Sequence, residues 1–203
     1  MKKYIEDTIA YYDRVWESYE KTWNVDFVED IEFTPREKFL EYLPPKAHIL
    51  DLGCGSGRDS IYFQKRGFKV TALDGSSKMC ELTKKLTGLP VIQKNFLEIE
   101  FEEHFDAVFA CASLLHLNDE DLKKSISLCS KSLKNKGYFY ISFKLGEGTR
   151  MKEDRYFNDM TEEKFTRLIS DSPELILIDC WVSYQYKSHI PFINFIMQKD
   201  KTK

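Results

Sequence analysis

A short apolar segment followed at once by three closely spaced glycines constrains the fold of this chain more than any other feature. Residues 48–60 read HILDLGCGSGRDS, with glycines at positions 53, 55 and 57. Glycine in an ordered segment costs roughly 0.5–1 kcal/mol relative to alanine, so three of them need a structural reason. The usual reasons are a sharp turn and a ligand lying against bare backbone, and both fit a turn that joins a buried strand to a helix.

Strand-like and helix-like segments alternate along the rest of the chain. The strand-like segments are 48–52, 68–74, 89–96, 105–112, 137–145, 174–184 and 191–199. The helix-like segments between them are 57–66, 76–87, 118–135 and 161–170. Such alternation predicts an α/β fold with a mostly parallel sheet and helices on both faces. No helix separates the last two strands, so we expect an antiparallel pair at one edge.

Two further helices are predicted before the first strand. Aromatic residues recur at helical spacing in YYDRVWESYEKTW, residues 11–23, which is typical of an amphipathic helix. In FTPREKFLEYLPP, residues 33–45, Thr34 is a suitable N-cap and Pro44 and Pro45 end the helix.

Composition limits the possible function classes. The chain has 203 residues, 42% of them hydrophobic, and a net charge of −3, which fits one large globular domain and argues against binding nucleic acid through bulk charge. Its five cysteines form no C-x-x-C pair, so a disulfide framework or zinc site is not expected. The first residues have no apolar signal region and no segment is long enough to cross a bilayer, so we expect a cytoplasmic protein without membrane partners.

Asp74 ends the second predicted strand, 21 residues after Gly53. A carboxylate at this place can accept hydrogen bonds from both hydroxyls of a ribose. The alternative is that Asp74 only caps the helix that starts near Ser76. A nicotinamide site is not indicated, because Arg58 occupies the position of the third glycine in G-x-G-x-x-G, and no P-loop lysine follows the glycines.

The segments ILDLGCGSGRDS and VTALDGSS together resemble the class I S-adenosylmethionine-dependent methyltransferases. With ACASLLHL and GYFYISFK, the pattern is most similar to small bacterial members, including the tellurite-resistance type. The resemblance covers roughly residues 35–199. It implies a Rossmann-like seven-stranded sheet in the order 3-2-1-4-5-7-6 with the last strand antiparallel, a methyltransferase domain over 35–203, and an N-terminal helical lid over 1–34.

The resemblance also implies S-adenosyl-L-methionine as cofactor and assigns residues to it. The methionine end would meet the glycine turn, the helix start after it and the segment after the fourth strand: Asp51, Gly53, Cys54, Gly55, Gly57, Arg58, Asp59, Ala110, Cys111 and Leu115. The ribose and adenine would meet Asp74, Gly75, Ser76, Met79, Asn95, Phe96 and Leu97. The aromatic residues Tyr11, Tyr12 and Trp16 would close the lid over the site, although packing against the rest of the domain is an equal alternative for them.

A sulfonium methyl group is already activated, so the enzyme must mainly align the acceptor with it. His116, just after the fourth strand, is the candidate general base, because histidine titrates near neutral pH. The alternative is a histidine with a structural hydrogen bond at a loop corner. No metal is expected.

The segment SFKLGEGTRMKEDRYF, residues 142–157, is predicted as a loop over the same sheet edge. Lys144, Arg150, Arg155 and Tyr156 could bind an anionic or oxygen-rich substrate there. A solvated basic loop with acidic neighbours is an equal alternative. Cys54 and Cys111 could bind a metalloid substrate, but cysteine is more often a small buried hydrophobe.

We therefore expect a small-molecule methyltransferase that is a monomer or a weak homodimer. An RNA or protein methyltransferase is the alternative, although the proline motif of DNA amino-methylating enzymes is missing where this chain has ACAS. A cofactor sensor without activity is a further alternative, which the undegraded cofactor motifs disfavour.

Overall fold

The computed structural model describes residues 1–22, 35–185 and 188–202. Helix α1, Lys3–Thr22, matches the predicted amphipathic helix, and α2, Pro35–Leu40, is shorter than the second one predicted. The whole segment between these helices, residues 23–34 with the predicted N-cap Thr34, lies outside the described residues.

A seven-stranded sheet forms the centre of the domain. Its strands are β1 His48–Leu52, β2 Lys69–Asp74, β3 Val91–Gln93, β4 Phe105–Ala110, β5 Leu133–Lys144, β8 Leu175–Tyr184 and β9 Pro191–Lys199. The order is β3-β2-β1-β4-β5-β9-β8, with β9 antiparallel to both of its neighbours. The predicted order and the antiparallel last strand are confirmed.

Four helices connect the strands: α3 Arg58–Lys65, α4 Ser77–Thr87, α5 Asp119–Ser132 and α6 Glu162–Ile169. Side-chain caps begin three of them, from Ser76, Asn118 and Thr161, each accepting a backbone N–H of the first turn. Gly88 ends α4 in the left-handed region, as predicted.

Apolar residues on the two faces of the sheet form two separate clusters. Leu50 of β1 and Ile141 of β5 belong to one, with α5 and α6. Ile49 and Tyr140, their neighbours along the same strands, belong to the other, with α2 and α3. Because alternate residues of a strand point to opposite faces, a sheet buried on both sides has nearly continuous apolar strands, as this sequence has.

Three predicted elements are corrected by the structure. Residues 142–157 are not a loop: a two-stranded hairpin forms there, from β6 Thr149–Lys152 and β7 Arg155–Asn158. The third strand is limited to three residues. Helix α5 ends at Ser132 rather than near Gly137, because Leu133 turns into extended backbone and pairs with Phe105 of β4. No helix among the described residues is both long and apolar enough to cross a bilayer.

Candidate active site

A cavity of about 790 Å³ lies at the carboxyl edge of the sheet, beneath α1. This is the size of a pocket for a small ligand, and it lies where open α/β sheets bind ligands. Two groups of elements line it. The first is the glycine turn with the residues that follow β2, β3 and β4, and the second consists of α1, the end of β5, the hairpin β6–β7 and the pair β8–β9.

The glycine turn is held tightly against β2. The N–H groups of Gly53 and Cys54 both donate to the carbonyl of Leu73, at 2.8 and 3.0 Å. Gly53, Gly55 and Gly57 all have positive φ, at 79°, 54° and 89°. A Cβ at Gly55 would meet no atom within 4 Å, so its backbone is bare on its open side, and Gly55 lines the cavity. This open backbone is the kind of surface that a ligand can approach closely.

Asp74 joins the glycine turn to the start of α4. Its Oδ2 accepts the N–H of Gly55 and its Oδ1 accepts the N–H of Ser76, both at 2.9 Å. Burial raises the pKa of Asp74, while these two N–H groups oppose the shift. The carboxylate therefore lines the cavity and supports the helix start at once, so both sequence interpretations of Asp74 remain open.

Residues after β2 and β3 form one side of the first group. Gly75, Ser76, Met79, Asn95 and Phe96 line the cavity, whereas Leu97 is not among the described lining residues. The Oδ1 atom of Asn95 accepts the N–H of Leu97 at 2.8 Å.

A buried charge cluster lies at the start of α3. Arg58 donates to both carboxylate oxygens of Asp59, at 3.2 and 3.0 Å, and Arg36 of α2 donates to Oδ1 at 3.3 Å. Burial opposes ionisation of Asp59, but Arg58 and Arg36 together keep its pKa below the ordinary value. All three residues line the cavity, which gives this corner two guanidinium groups and one carboxylate.

Asp51 lies behind that cluster and is not among the described lining residues. It accepts a hydrogen bond from Ser60 Oγ at 2.6 Å. Burial, with the charge of Asp59 as the next cause, raises the pKa of Asp51 to about 8. Gly57 and Ala110 also lie behind the lining, whereas Cys54, Cys111 and Leu115 line the cavity.

His116 lines the cavity in the 3₁₀ turn Leu114–His116 that follows β4. Its Nδ1 is 2.7 Å from the carbonyl of Tyr156 and therefore carries the proton, because a carbonyl only accepts. Its Nε2 then accepts the hydroxyl of Tyr12 at 2.8 Å. Burial lowers the pKa of His116 to about 4, so the ring is neutral at pH 7.

Helix α1 covers the cavity and is tied to the domain by polar contacts. Asp13 accepts hydrogen bonds from Ser76 Oγ at 2.7 Å and from the Lys78 N–H at 3.0 Å, at the start of α4. Tyr12 lines the cavity. Tyr11 is not among the described lining residues: it donates to Glu153 at 3.1 Å, on the hairpin.

The four predicted substrate residues divide into two pairs. Lys144 and Arg155 line the cavity. Arg150 and Tyr156 are not among the described lining residues: Arg150 forms an ion pair with Asp159, and the ring of Tyr156 packs on Tyr4 with centroids 5.1 Å apart.

The two cavity thiols have neighbours of their own. Cys54 Sγ lies 3.5 Å from Thr83 Oγ1, and Cys111 accepts from Ser142 at 3.9 Å. Burial raises the pKa of both thiols, so both are protonated at neutral pH. No group of three or more possible metal ligands occurs among the described residues.

Sequence reasoning missed a large part of the lining. The missed residues lie mainly in α1, α2, the end of β5 and the pair β8–β9, with others after β4 and in the hairpin. They include Ile5, Thr8, Ile9, Tyr19, Arg36, Ser113, Tyr140, Ser142, Phe157, Trp181, Ser183, Tyr184, Gln185, Phe192 and Asn194. One signal in the sequence could have found two of them. Tyr140 and Ser142 alternate with Lys144 along β5, so they lie on the same face of the sheet as that predicted substrate residue.

Parts of this chain are similar in sequence to known methyltransferases. Residues 49–137 match the model of a methyltransferase domain family. An uncharacterised methyltransferase of Staphylococcus carnosus is 25% identical, over 62% of this chain and 60% of its own length. The putative methyltransferase YqeM of Bacillus subtilis is 33% identical, over 60% of this chain and 52% of its own length. The chain thus spans between half and two thirds of these curated relatives.

Solved structures share the fold over nearly the whole chain. A 1,6-didemethyltoxoflavin N1-methyltransferase of Burkholderia thailandensis, solved with S-adenosylhomocysteine bound, has a TM-score of 0.76 at 20% identity and covers 99% of this chain and 92% of its own. A TehB-like methyltransferase of Corynebacterium glutamicum has a TM-score of 0.71 at 19% identity, covering 92% and 99%. Residues 49–137 are therefore similar to a methyltransferase domain family, and the chain shares the fold of solved S-adenosylmethionine-dependent methyltransferases.

Proposed function

We propose that this protein transfers the methyl group of S-adenosyl-L-methionine to a small-molecule acceptor by in-line displacement. The single observation that carries the proposal is the two-part cavity, which has a bare glycine turn with Asp74 on one side and aromatic and polar side chains on the other. A volume of about 790 Å³ suits a cofactor and a small acceptor together. Its cover by α1 favours a small molecule over the RNA or protein alternative.

The residues on the first side fit the cofactor. The open backbone at Gly55 leaves room where any side chain would enter the cavity. An ionised carboxylate has about four acceptor positions, and the backbone N–H groups of Gly55, Ser76 and Gly75 act on Asp74, so it keeps the capacity to accept from a ribose hydroxyl. Met79 and Phe96 supply apolar contacts for the adenine. The Arg58–Asp59–Arg36 cluster offers both charges to an amino acid end.

The bound cofactor supplies an activated methyl group, so the protein's task is alignment and exclusion of water. Holding the reacting atoms roughly 3–3.5 Å apart can supply about 7–11 kcal/mol of barrier reduction. Tyr12 and the rest of α1 close the cavity on the outer side. His116 is a weak base in this state, because its pKa is near 4 and its Nε2 already accepts from Tyr12. An acceptor proton would therefore reach His116 only after Tyr12 moves or through the Tyr12 hydroxyl.

We also propose that the chain has a lid segment and a cofactor-binding domain, and that the protein is cytoplasmic. Residues 1–34 would act as the lid segment and 35–203 as the cofactor-binding domain. The five cysteines are free thiols, which suits the reducing cytosol.

An assay that measures the formation of S-adenosylhomocysteine from S-adenosylmethionine tests the proposal. The purified protein would be assayed with small hydroxyl, amine, thiol and carboxylate acceptors, and with total RNA and denatured protein in separate reactions. We expect release with at least one small acceptor and its loss in Asp74→Ala. Methylation confined to RNA or protein contradicts the small-molecule assignment, and absence of both turnover and cofactor binding contradicts the whole proposal.

A further inference from the structure

One end of the cavity is cationic. Lys144, at the end of β5, and Arg155, at the start of β7, both line the cavity beside Phe157. The Lys144 ammonium lies 4.2 Å and the Arg155 guanidinium 5.2 Å from the centroid of the Phe157 ring. We call Lys144, Arg155 and Phe157 the cationic end.

The positive charge at this end is only partly balanced by the protein. Arg150 and Arg155 have acidic partners, Asp159 and Glu153. Among the residues that the structure describes, Lys144 makes no ion pair, and the charged groups that act on it are all cations: Arg150, Lys152 and Arg155. Burial and these cations lower its pKa. An unpaired charge that is half-buried is partly desolvated, so a complementary anion would stabilise this end.

Arg155 has hydrogen-bonding capacity that the protein does not use. Its side chain is 13% exposed, and its partner Glu153 is 57% exposed, on the outer side of the hairpin. Its Nε atom is buried and has no hydrogen-bond partner among the described residues. A buried N–H without a partner is destabilising, and an oxyanion beside the guanidinium would supply an acceptor.

Charges elsewhere in the cavity do not offer the same opportunity. The carboxylate of Asp59 is bound by Arg58 and Arg36, which leaves that corner with charges of both signs. Asp74 is bound by backbone N–H groups. Phe192, which pairs with Lys144 across β5 and β9, belongs to the lining together with Tyr184 and Trp181, and these residues provide aromatic surface. The acceptor therefore meets positive charge next to flat apolar walls.

We propose that the methyl acceptor is a small aromatic acid whose carboxylate binds between Lys144 and Arg155. This inference rests on the proposed function, since it describes the second substrate of the same cavity. The carboxylate would accept hydrogen bonds from the Lys144 ammonium and the Arg155 guanidinium, and the ring would contact the aromatic walls. The anion serves as the binding group; the atom that receives the methyl group lies elsewhere on the acceptor.

Calorimetry with matched ligands tests the proposal on the intact chain saturated with S-adenosylhomocysteine. The probes are benzoate, 2-naphthoate and indole-3-acetate, each with its neutral amide. We expect at least one acid to bind about tenfold or more tightly than its amide, which corresponds to one charge-assisted hydrogen bond. If no acid binds more tightly than its amide, the proposal is wrong.

Variants of the cationic end locate the effect. Lys144→Gln and Arg155→Gln should each weaken the acid about tenfold and leave the amide unchanged, and Lys144→Arg should restore much of the affinity. The matched control is Lys152→Gln, an exposed lysine of the same hairpin outside the described lining, which should bind like wild type. The proposal is contradicted if Lys152→Gln loses as much affinity for the acid as Lys144→Gln does, or if Lys144→Gln loses none. If the proposed function itself is wrong, the protein will not bind S-adenosylhomocysteine, and this result will be seen before any acid is added.

Discussion

Gly53 illustrates how a single backbone position maintains the site. A Cβ there would lie 2.3 Å from the Cβ of Ser113, and the backbone has φ of 79°. Gly67 has a similar φ of 83° but nothing within 4 Å of its Cβ position. Left-handed backbone costs a residue with a side chain about 1–2 kcal/mol, and overpacking typically adds about 1–3 kcal/mol.

Urea unfolding should therefore separate two alanine variants. We predict that Gly53→Ala lowers the free energy of unfolding by about 2–4 kcal/mol, whereas Gly67→Ala, the matched control, loses about 1 kcal/mol. The difference measures the contact with Ser113, because both positions have the same backbone strain. Equal losses would show that the turn adjusts without cost and would contradict the tight packing described here.

His116 gives a prediction about pH. Its pKa falls from 6.5 to about 4 on folding, so the unfolded chain binds the proton more readily and stability falls as the pH drops below 6.5. Between pH 7 and pH 5, wild type should lose about 2 kcal/mol more of its unfolding free energy than His116→Gln. Comparison with this variant is necessary because His48, with its pKa also lowered to about 4, acts in the same pH range. Equal losses in the two proteins would contradict a buried neutral His116.

Individual site residues differ in how far the sequence predicts them. Asp74 and Gly55 are adjacent to strand ends with a strong local pattern, so their presence at the cavity could be predicted. Arg36 could not be predicted at the cavity, because its contact with Asp59 spans 23 residues and depends on how α2 packs. Asn194 is similar: it accepts from Tyr140, 54 residues away, and no local pattern marks that pair.

At the scale of elements, α1 is connected to the site through Asp13. This carboxylate binds the start of α4, where Ser76 and Met79 line the cavity. If α1 acts as a lid, Asp13→Ala should weaken binding of S-adenosylhomocysteine, because hydrogen bonds to a charged group contribute about 1.5–3 kcal/mol each. We expect about a tenfold rise in Kd by calorimetry.

Asp7→Ala is the control on the same helix, since Asp7 pairs with Lys3 of α1 itself. It should bind S-adenosylhomocysteine like wild type. Unchanged affinity in Asp13→Ala would show that α1 packs on the domain without closing the cofactor site, which is the alternative that the sequence left open.

The hairpin β6–β7 shows why some elements escape sequence reasoning. Its two turn residues, Glu153 and Asp154, both have positive φ, at 51° and 68°, as a type I′ turn requires. Asn and Gly are the usual residues at these two positions, so Glu153 and Asp154 do not indicate a hairpin. Strand β6 is exposed throughout and has no alternation of apolar and polar residues. By contrast, the strongly apolar β9 was predicted at its observed bounds, and β5 was predicted to within one residue at its end, although it starts four residues before its predicted start.

At the scale of the whole molecule, the cofactor side and the acceptor side of the cavity have different origins in the chain. The first is assembled from strand ends that are consecutive in the sequence, and its motifs predicted the fold and the cofactor. The second combines α1, the end of β5, the hairpin and β8–β9, which are brought together only by the sheet order. Substrate class is therefore an inference from the structure, whereas cofactor class could be predicted from the sequence.

Calorimetry with S-adenosylhomocysteine on wild type, Asp74→Ala and Asp171→Ala tests the central claim most directly. Asp171 is a suitable control because its side chain is 66% exposed and pairs with Lys123 on the surface. We predict saturable 1:1 binding to wild type and to Asp171→Ala, and an affinity at least about tenfold lower in Asp74→Ala, from the loss of hydrogen bonds to a charged acceptor. Absence of binding to wild type, or equal affinity in all three proteins, would contradict an adenosyl site between the glycine turn and Asp74.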